Sequence, residues 1–423
     1  MHIVVVGAGI VGASCALELL RDGHQVTIVE PGKPGGRQSA SYGHGCWISP
    51  ASVVPMSTPS LWRQIPGYLL NPHGPLVIRW RHIGALLPWL IRFLVAGSTV
   101  PRVERTAQAL ASLLADSPAR HSALAEELGR QDLIRREGLL YAYPSREHFE
   151  AEALAWHLRR LTGLRWRELD AAELSAREPG LSEHYRFGVL AEDGAHCVDP
   201  ESYVSAIIDA AVARGAKLLK TKVVDLAFEG RRLRSILTES GPLACDRAVI
   251  AAGVWSKKLA QIAGDRVPLE SERGYHGVIA SPRGGPLHPV MPSDGKMANT
   301  PTAKGLRLSG QVELASVDTP PSWNRVDILV DHALKTYPSL GRKTDLVVDR
   351  WMGHRPSTPD GLPVIGSSSR SDDVVYAFGH GHVGFASGPT TGRIVADQIA
   401  GRPSDRDLKP FSPRRFRWIG RAG

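Results

Sequence analysis

Gly7, Gly9 and Gly12 follow the apolar run Met1-His2-Ile3-Val4-Val5-Val6 and open a helical pattern. Gly23 breaks that helix, Gln25-Val26-Thr27-Ile28-Val29 reads as a second strand, and Glu30 stands at its end. This is a βαβ unit whose glycines are spaced to wrap a pyrophosphate. Gly7 allows the tight turn, Gly9 lets backbone approach the phosphates, and Gly12 lets helix and strand pack closely. The helix start, with Ile10 and Val11, offers unpaired N–H groups and a positive dipole end to an anion. Glu30 is placed to accept hydrogen bonds from both ribose hydroxyls, and it repels a 2′-phosphate there. A glycine-rich turn of purely structural role is the competing reading. The acid 18 residues past Gly12, in a strand–helix–strand setting, argues against it.

Other residues carry weaker signals. His380-Gly381-His382 has the close spacing of a metal pair, but no third ligand accompanies it, so no metal is expected. No Ser-His-Asp or Cys-His arrangement is supported. Cys15, Cys46, Cys197 and Cys245 form no C-x-x-C pair, which suggests reduced core thiols and a cytoplasmic protein. The N-terminus runs straight into a strand, so no signal peptide is expected.

The elements that must position these residues need more than one core. A chain of 423 residues suggests two domains. Hydrophobic residues at 43% and charged residues at 22% are those of a soluble globular protein. The net charge of +9 reads first as solubility, and second as attraction to an anionic surface or substrate. The basic residues are scattered, so nucleic acid is not an expected partner. The stretch His82–Gly97 is too short to span a bilayer and carries Pro88 and Arg92. It is expected to be a buried helix. A helix lying on a membrane is the alternative, given Trp80, Trp89, Arg79 and Arg81.

Leu110, Leu113, Leu114, Leu124 and Leu128 predict a helix over 104–129, and a second is expected over 147–161. A third, short helix begins near Leu169. Asp199 and Pro200 start another as N-cap and first residue. Strands are predicted at 217–220, 223–228, 233–238 and 248–253. Residues 267–330 look antiparallel. Val374–Phe378 is a strand, the glycine-rich loop at 379–384 follows, and Gly388-Pro389-Thr390-Thr391 opens the last helix. The fold expected is α/β with α+β character: a discontinuous, Rossmann-like cofactor domain and an inserted domain on an antiparallel sheet. The first takes residues 1–50, 194–260 and 345–405; the second takes 51–193 and 261–344. A basic, peripheral tail, 406–423, closes the chain.

Five stretches carry a resemblance: GAGIVGASCALELLRDGHQVTIVE, SASYGHG, AVIAAGVWS, HRPSTPDGLPVIG and YAFGHGHVGFASGPTTG. In this order they are similar to the D-amino-acid oxidase-like group of FAD-dependent amine oxidoreductases, which includes glycine oxidase, sarcosine oxidase and bacterial D-amino-acid dehydrogenase. SERGYH and SYGHGCWISP look most like the dehydrogenase branch, D-hydroxyproline dehydrogenases included.

The resemblance implies FAD as cofactor. It places Ser39, Ser41, Gly43 and Gly45 against the flavin, with His44 where the group usually has asparagine. It implies an adenine contact from the Val224 backbone and packing by Ala251, Ala252, Gly253 and Trp255. It puts Gly381, Val383, Gly384 and Thr390 at the pyrimidine edge of the ring. It gives Arg355 the substrate carboxylate, a task suited to the guanidinium fork. Tyr275 or His276 is expected to contact substrate, and Arg307 to be structural. The implied activity is oxidative deamination of D-amino acids, D-proline or D-hydroxyproline among them, by hydride transfer from Cα to flavin N5. Electrons pass to a quinone or other acceptor. The alternatives are a glycine- or sarcosine-type oxidase using oxygen, and an FAD subunit of a multi-subunit amine dehydrogenase. The expected location is cytoplasmic, with contact at the inner membrane face as the alternative.

Overall fold

The N-terminal apolar run becomes the strand His2–Val6 in the middle of a six-stranded sheet. In this computed structural model residues 1–59, 61, 76–78 and 83–417 are described. The sheet order is Lys217–Leu219, Gln25–Val29, His2–Val6, Arg247–Ile250, Val374–Phe378, Val364–Ser367. All neighbours are parallel except the last pair. Its central strands are apolar on most residues because both faces are covered. Ile3, Val5, Ile28 and Val249 meet the helices Ile10–Arg21, Pro200–Ala213 and Gly384–Ile399. Val4, Val6, Ala248 and Ile250 meet the helix Ser256–Ile262 and a three-stranded meander over 223–244. Asp199 caps Pro200–Ala213, accepting from the Glu201 and Ser202 N–H groups.

The second sheet has nine strands and is mostly antiparallel, with parallel pairings at Val290–Pro292 with Leu139–Tyr143 and Leu76–Ile78 with Gly305–Leu314. The helix Asn324–Thr336 packs on one face of it, around Leu308, Leu329 and Val330.

Several elements differ from the sequence reading. The strand Val348–Ser357, expected within the cofactor piece 345–405, pairs with Glu270–Ile279 along its whole length and belongs to the nine-stranded sheet. The helix expected over 104–129 is two, Val100–Leu114 and Ser117–Glu127. Pro118 accounts for the break, since it has no N–H to continue the ladder. The last helix begins at Gly384, one turn before Gly388. The tail is pinned as far as it is described: Phe411 is fully buried and the Arg415 guanidinium donates to both Asp360 oxygens. Residues 418–423 lie outside the described residues.

Pro88 is carried inside the helix Ile83–Ala96, where Leu86 and Trp89 are buried and Leu87, Ile91 and Val95 are exposed on the other side. The expectation of a buried helix therefore holds for one face only. Trp80, Arg79 and Arg81 lie outside the described residues. No single helix among the described residues is long and apolar enough to cross a membrane.

Candidate active site

The carboxyl ends of the parallel strands and one face of the nine-stranded sheet enclose a cavity of about 1110 Å³. Open parallel sheets place ligands at such strand ends. At the Gly7 end, φ of Gly7 is +105°, and a Cβ there would lie 2.6 Å from the Ala251 carbonyl oxygen. A Cβ on Gly12 would sit 2.0 Å from the Gly7 carbonyl oxygen, so Gly12 serves helix–strand packing and does not line the cavity. Gly9, Ile10 and Val11 do line it. The Ile10 N–H donates to the Ser41 hydroxyl at 3.0 Å, which ties the helix start to the following loop. The Gly9 and Val11 N–H groups make no hydrogen bond among the described residues. That leaves two donors at a helix N-terminus facing the cavity, the arrangement that holds a phosphate.

Glu30 is buried, and its carboxylate accepts from the Ala8 and Gly32 N–H groups at 2.9 and 3.0 Å. It therefore also braces the turn, which the sequence reading did not include. Val224, Ala251, Ala252, Gly253 and Trp255 line the same end.

The middle of the cavity is shaped by the loop at 39–45. Ser39, Ser41, Gly43, His44 and Gly45 all line it. Arg307, fully buried, donates to the Tyr42 and His44 carbonyl oxygens at 2.8 and 2.9 Å. Its expected structural role is thus specific: it pins this loop. Gly43 is required because a Cβ would lie 1.8 Å from the Trp351 ring. His44 stacks on Phe385 at 4.8 Å. Burial, with Arg307 and Arg355 nearby, lowers its pKa to about 3, so the ring is neutral. Gly381, Val383 and Gly384 line the wall at the start of the last helix. Thr390 does not. It lies buried in the second turn with its hydroxyl 3.4 Å from Asp116, because the helix starts earlier than expected.

Arg355 lines the cavity, and its Nη1 donates to Glu272 Oε1 at 3.3 Å and to the Gln311 carbonyl at 3.4 Å. The two strands place Glu272 directly opposite Arg355. No hydrogen bond among the described residues uses Arg355 Nη2 or Nε. A Cβ on Gly274 would fall 2.4 Å from the guanidinium carbon, so that glycine makes room for it. Gln311 sits at a register shift opposite Gly274 and Tyr275, with φ +57°. This bulge turns its carbonyl toward Arg355, and buried Arg325 holds its side-chain oxygen at 2.7 Å. His382 Nε2 also bonds Glu272 Oε1. Burial opposes ionisation of Glu272, but His382, Arg355 and the Ser357 hydroxyl outweigh it and hold the carboxyl at about 2.

Tyr275 and His276 do not contact the cavity. Alternation sends Tyr275 to the far face, where its phenol donates to Glu313 at 2.5 Å and accepts from the Ser322 N–H. His276 lies on the near face but is covered. It stacks on Trp351 at 4.8 Å and on Tyr42 at 5.8 Å. Burial and the neighbouring Arg307 hold it well below its ordinary pKa. His380 and His382 turn to different partners, the Thr391 hydroxyl and Glu272. Glu272, His382, Gly274 and Gln311 carry site geometry that was not assigned from sequence. The signal common to Glu272, Gly274 and Gln311 is strand register, which a single sequence does not display.

A cavity of this length, with free donors at one end, an acid behind them and a loop of small residues in the middle, fits an extended dinucleotide. Residues 2–398 match the family model described as FAD dependent oxidoreductase, DAO. The chain is 49% identical to a D-amino-acid oxidase of Bradyrhizobium diazoefficiens over 98% of this chain and 99% of that one. It is 31% identical to a D-amino acid dehydrogenase of Paramagnetospirillum magneticum, with the same coverage. Glycine oxidase from Geobacillus kaustophilus shares the fold at TM-score 0.74 and 24% identity, over 98% of this chain and 99% of that one.

Proposed function

From the premise that the chain belongs to this family of FAD-dependent oxidoreductases, we propose that it oxidises D-amino acids at Cα to imino acids, which hydrolyse to 2-oxo acids and ammonia. Bound FAD supplies the hydride acceptor. The free Gly9 and Val11 N–H groups would hold its pyrophosphate, Glu30 its ribose, and the loops at 39–45 and 381–384 its ring. Arg355 binds the substrate carboxylate, and its fixed fork sets which hydrogen of Cα is presented. Phe93, Met291, Trp351 and Phe385 in the lining exclude water.

The observation that carries this reading is Arg355 in the cavity wall, held by one nitrogen and with the rest of its fork available. The test is a panel of D- and L-amino acids, glycine, sarcosine and D-hydroxyproline, assayed with a dye and with oxygen. D-amino acids should reduce the flavin without air and L-amino acids should not; preference for glycine or sarcosine would replace this reading. Electrons then pass to a quinone or another acceptor. Oxygen as acceptor is a second reading, favoured by the 49% identical relative being named an oxidase. The exposed Leu87, Ile91 and Val95 on the helix Ile83–Ala96 support contact with a membrane surface, where a quinone would be met. Sedimentation with anionic vesicles tests this, and Ile91→Glu should reduce it.

Two further outcomes follow for the cofactor. Acid precipitation should release all flavin to the supernatant, since His44 is stacked on Phe385 and Cys46 is buried. Flavin in the pellet would mean a covalent link. Replacing Glu30 with alanine removes the ribose acceptor and strands the Ala8 and Gly32 N–H groups. FAD affinity should fall by roughly tenfold or more, the size of one charge-assisted hydrogen bond. Equilibrium dialysis reads it, and parental retention of FAD would remove Glu30 from the binding site.

A further inference from the structure

We propose that His382 accepts the proton from the substrate ammonium, with Glu272 as the positioning residue behind it. The inference rests on the reading of this cavity as a D-amino-acid site. An amino acid in neutral water carries an ammonium group, whose nitrogen has no lone pair. Loss of hydride from Cα needs that pair to form the C=N bond. The N–H bond must therefore break first: its electron pair stays on nitrogen and the proton passes to a base. The step is redox-neutral, ammonium plus imidazole giving amine plus imidazolium.

Geometry selects His382. It lines the cavity and bonds Glu272 Oε1 through Nε2. A neutral ring donating from Nε2 has Nδ1 as its acceptor. No hydrogen bond among the described residues uses Nδ1. Glu272 is buried and ionised, with the Ser357 hydroxyl donating to its other oxygen at 2.9 Å. A carboxylate behind an imidazole fixes the tautomer and stabilises the imidazolium that forms. Arg355 Nη1 reaches the same Oε1 at 3.3 Å. Carboxylate anchor and base thus converge on one atom, and the two groups they serve are attached to one Cα.

The charged and titratable groups around His382 are Glu272 and Arg355 on the two strands and His44 on the loop. The other imidazoles of the lining are poor candidates. His44 and His380 are pushed down to about 3 by burial, with Arg307 adding to it at His44. His354 is lowered by burial, and its Nδ1 is engaged by the Ser271 hydroxyl. A purely structural His382–Glu272 pair would matter to stability and not to proton transfer.

The test uses the holoenzyme, with His382→Gln and Glu272→Gln beside the parent and Arg355→Lys. FAD content and Tm are read first, because His382 partners the buried Glu272 carboxylate, and rates are then compared per bound FAD. kcat/KM for a D-amino acid is then followed from neutral pH to above the pKa of the substrate ammonium. At neutral pH His382→Gln should lose roughly a hundredfold, the usual contribution of one general base. The deficit should close as pH rises past that pKa, because an amine that is already neutral needs no base. Glu272→Gln should show a smaller deficit that closes in the same way. Added imidazole should restore part of the His382→Gln rate. Binding of 2-methylpropanoate, which has no ammonium, should be parental in His382→Gln by calorimetry and weakened in Arg355→Lys. A His382→Gln profile parallel to the parent at every pH, with Arg355→Lys impaired, would overturn the base and leave the Arg355 reading standing. A parent that oxidises no D-amino acid would overturn both.

Discussion

Arg355→Lys should lower kcat/KM for a D-amino acid by two orders of magnitude or more while leaving the flavin spectrum and FAD content unchanged. Lysine keeps the charge but not the two-pronged geometry, and the ligand carboxylate loses its buried partner. Removing one member of such a pair costs about 3–5 kcal/mol, or more than about a hundredfold. The structure adds a second route to the same loss. Gly274→Ala brings a methyl group to 2.4 Å from the Arg355 guanidinium carbon, so the arginine must move although its charge is intact. Both variants should be impaired toward amino acids. Neither should be further impaired toward a carboxylate-free amine, which the parent turns over poorly. Steady-state kinetics on the two substrate classes reads the difference. Near-parental turnover of D-amino acids by Arg355→Lys would move the carboxylate to another cation.

Gly12→Ala should yield a colourless and destabilised protein, whereas Gly9→Ala should yield a folded one with weakened FAD binding. The Cβ of the first would sit 2.0 Å from the Gly7 carbonyl oxygen, and neither backbone can yield without opening the helix–strand contact. Overpacking of this kind costs about 1–3 kcal/mol or more. The Cβ of the second meets only the Ser41 hydroxyl, at 3.3 Å, a side chain that can turn away. Its effect should fall on the phosphate that Gly9 is placed to approach. Thermal unfolding and flavin absorbance together separate the outcomes. Equal loss of stability in both variants would show that Gly9 also serves packing.

The cofactor half of this protein was legible in its sequence because its information is local. Gly7, Gly9, Gly12 and Glu30 lie within one βαβ unit, where chain spacing and spatial spacing are nearly the same. The loop at 39–45 and the turn at 379–384 were legible for a related reason: small residues mark where backbone must come close to something. Arg355 was singled out through the resemblance, in the stretch HRPSTPDGLPVIG.

What the sequence could not decide is what lies across the sheet from each residue. Glu272 and Arg355 are far apart in the chain and meet only because Glu270–Ile279 and Val348–Ser357 pair in one register. A slip of one residue would exchange Glu272 for its neighbour and send it to the other face. That alternation also placed Tyr275 on the far face and left His276 under Trp351, so the two residues expected at the substrate lie outside the cavity. The bulge at Gln311 has no single-residue signature, since it exists only as a mismatch between two strands. The start of the last helix at Gly384 took Thr390 from the cavity, because helix boundaries depend on packing as much as on local residue preference. Residue types and local spacing thus determined the cofactor fold, and the resemblance pointed to Arg355 as the proposed carboxylate anchor. Register across the nine-stranded sheet decided which side chains stand beside that anchor, because strand pairing is a long-range contact that no local pattern fixes.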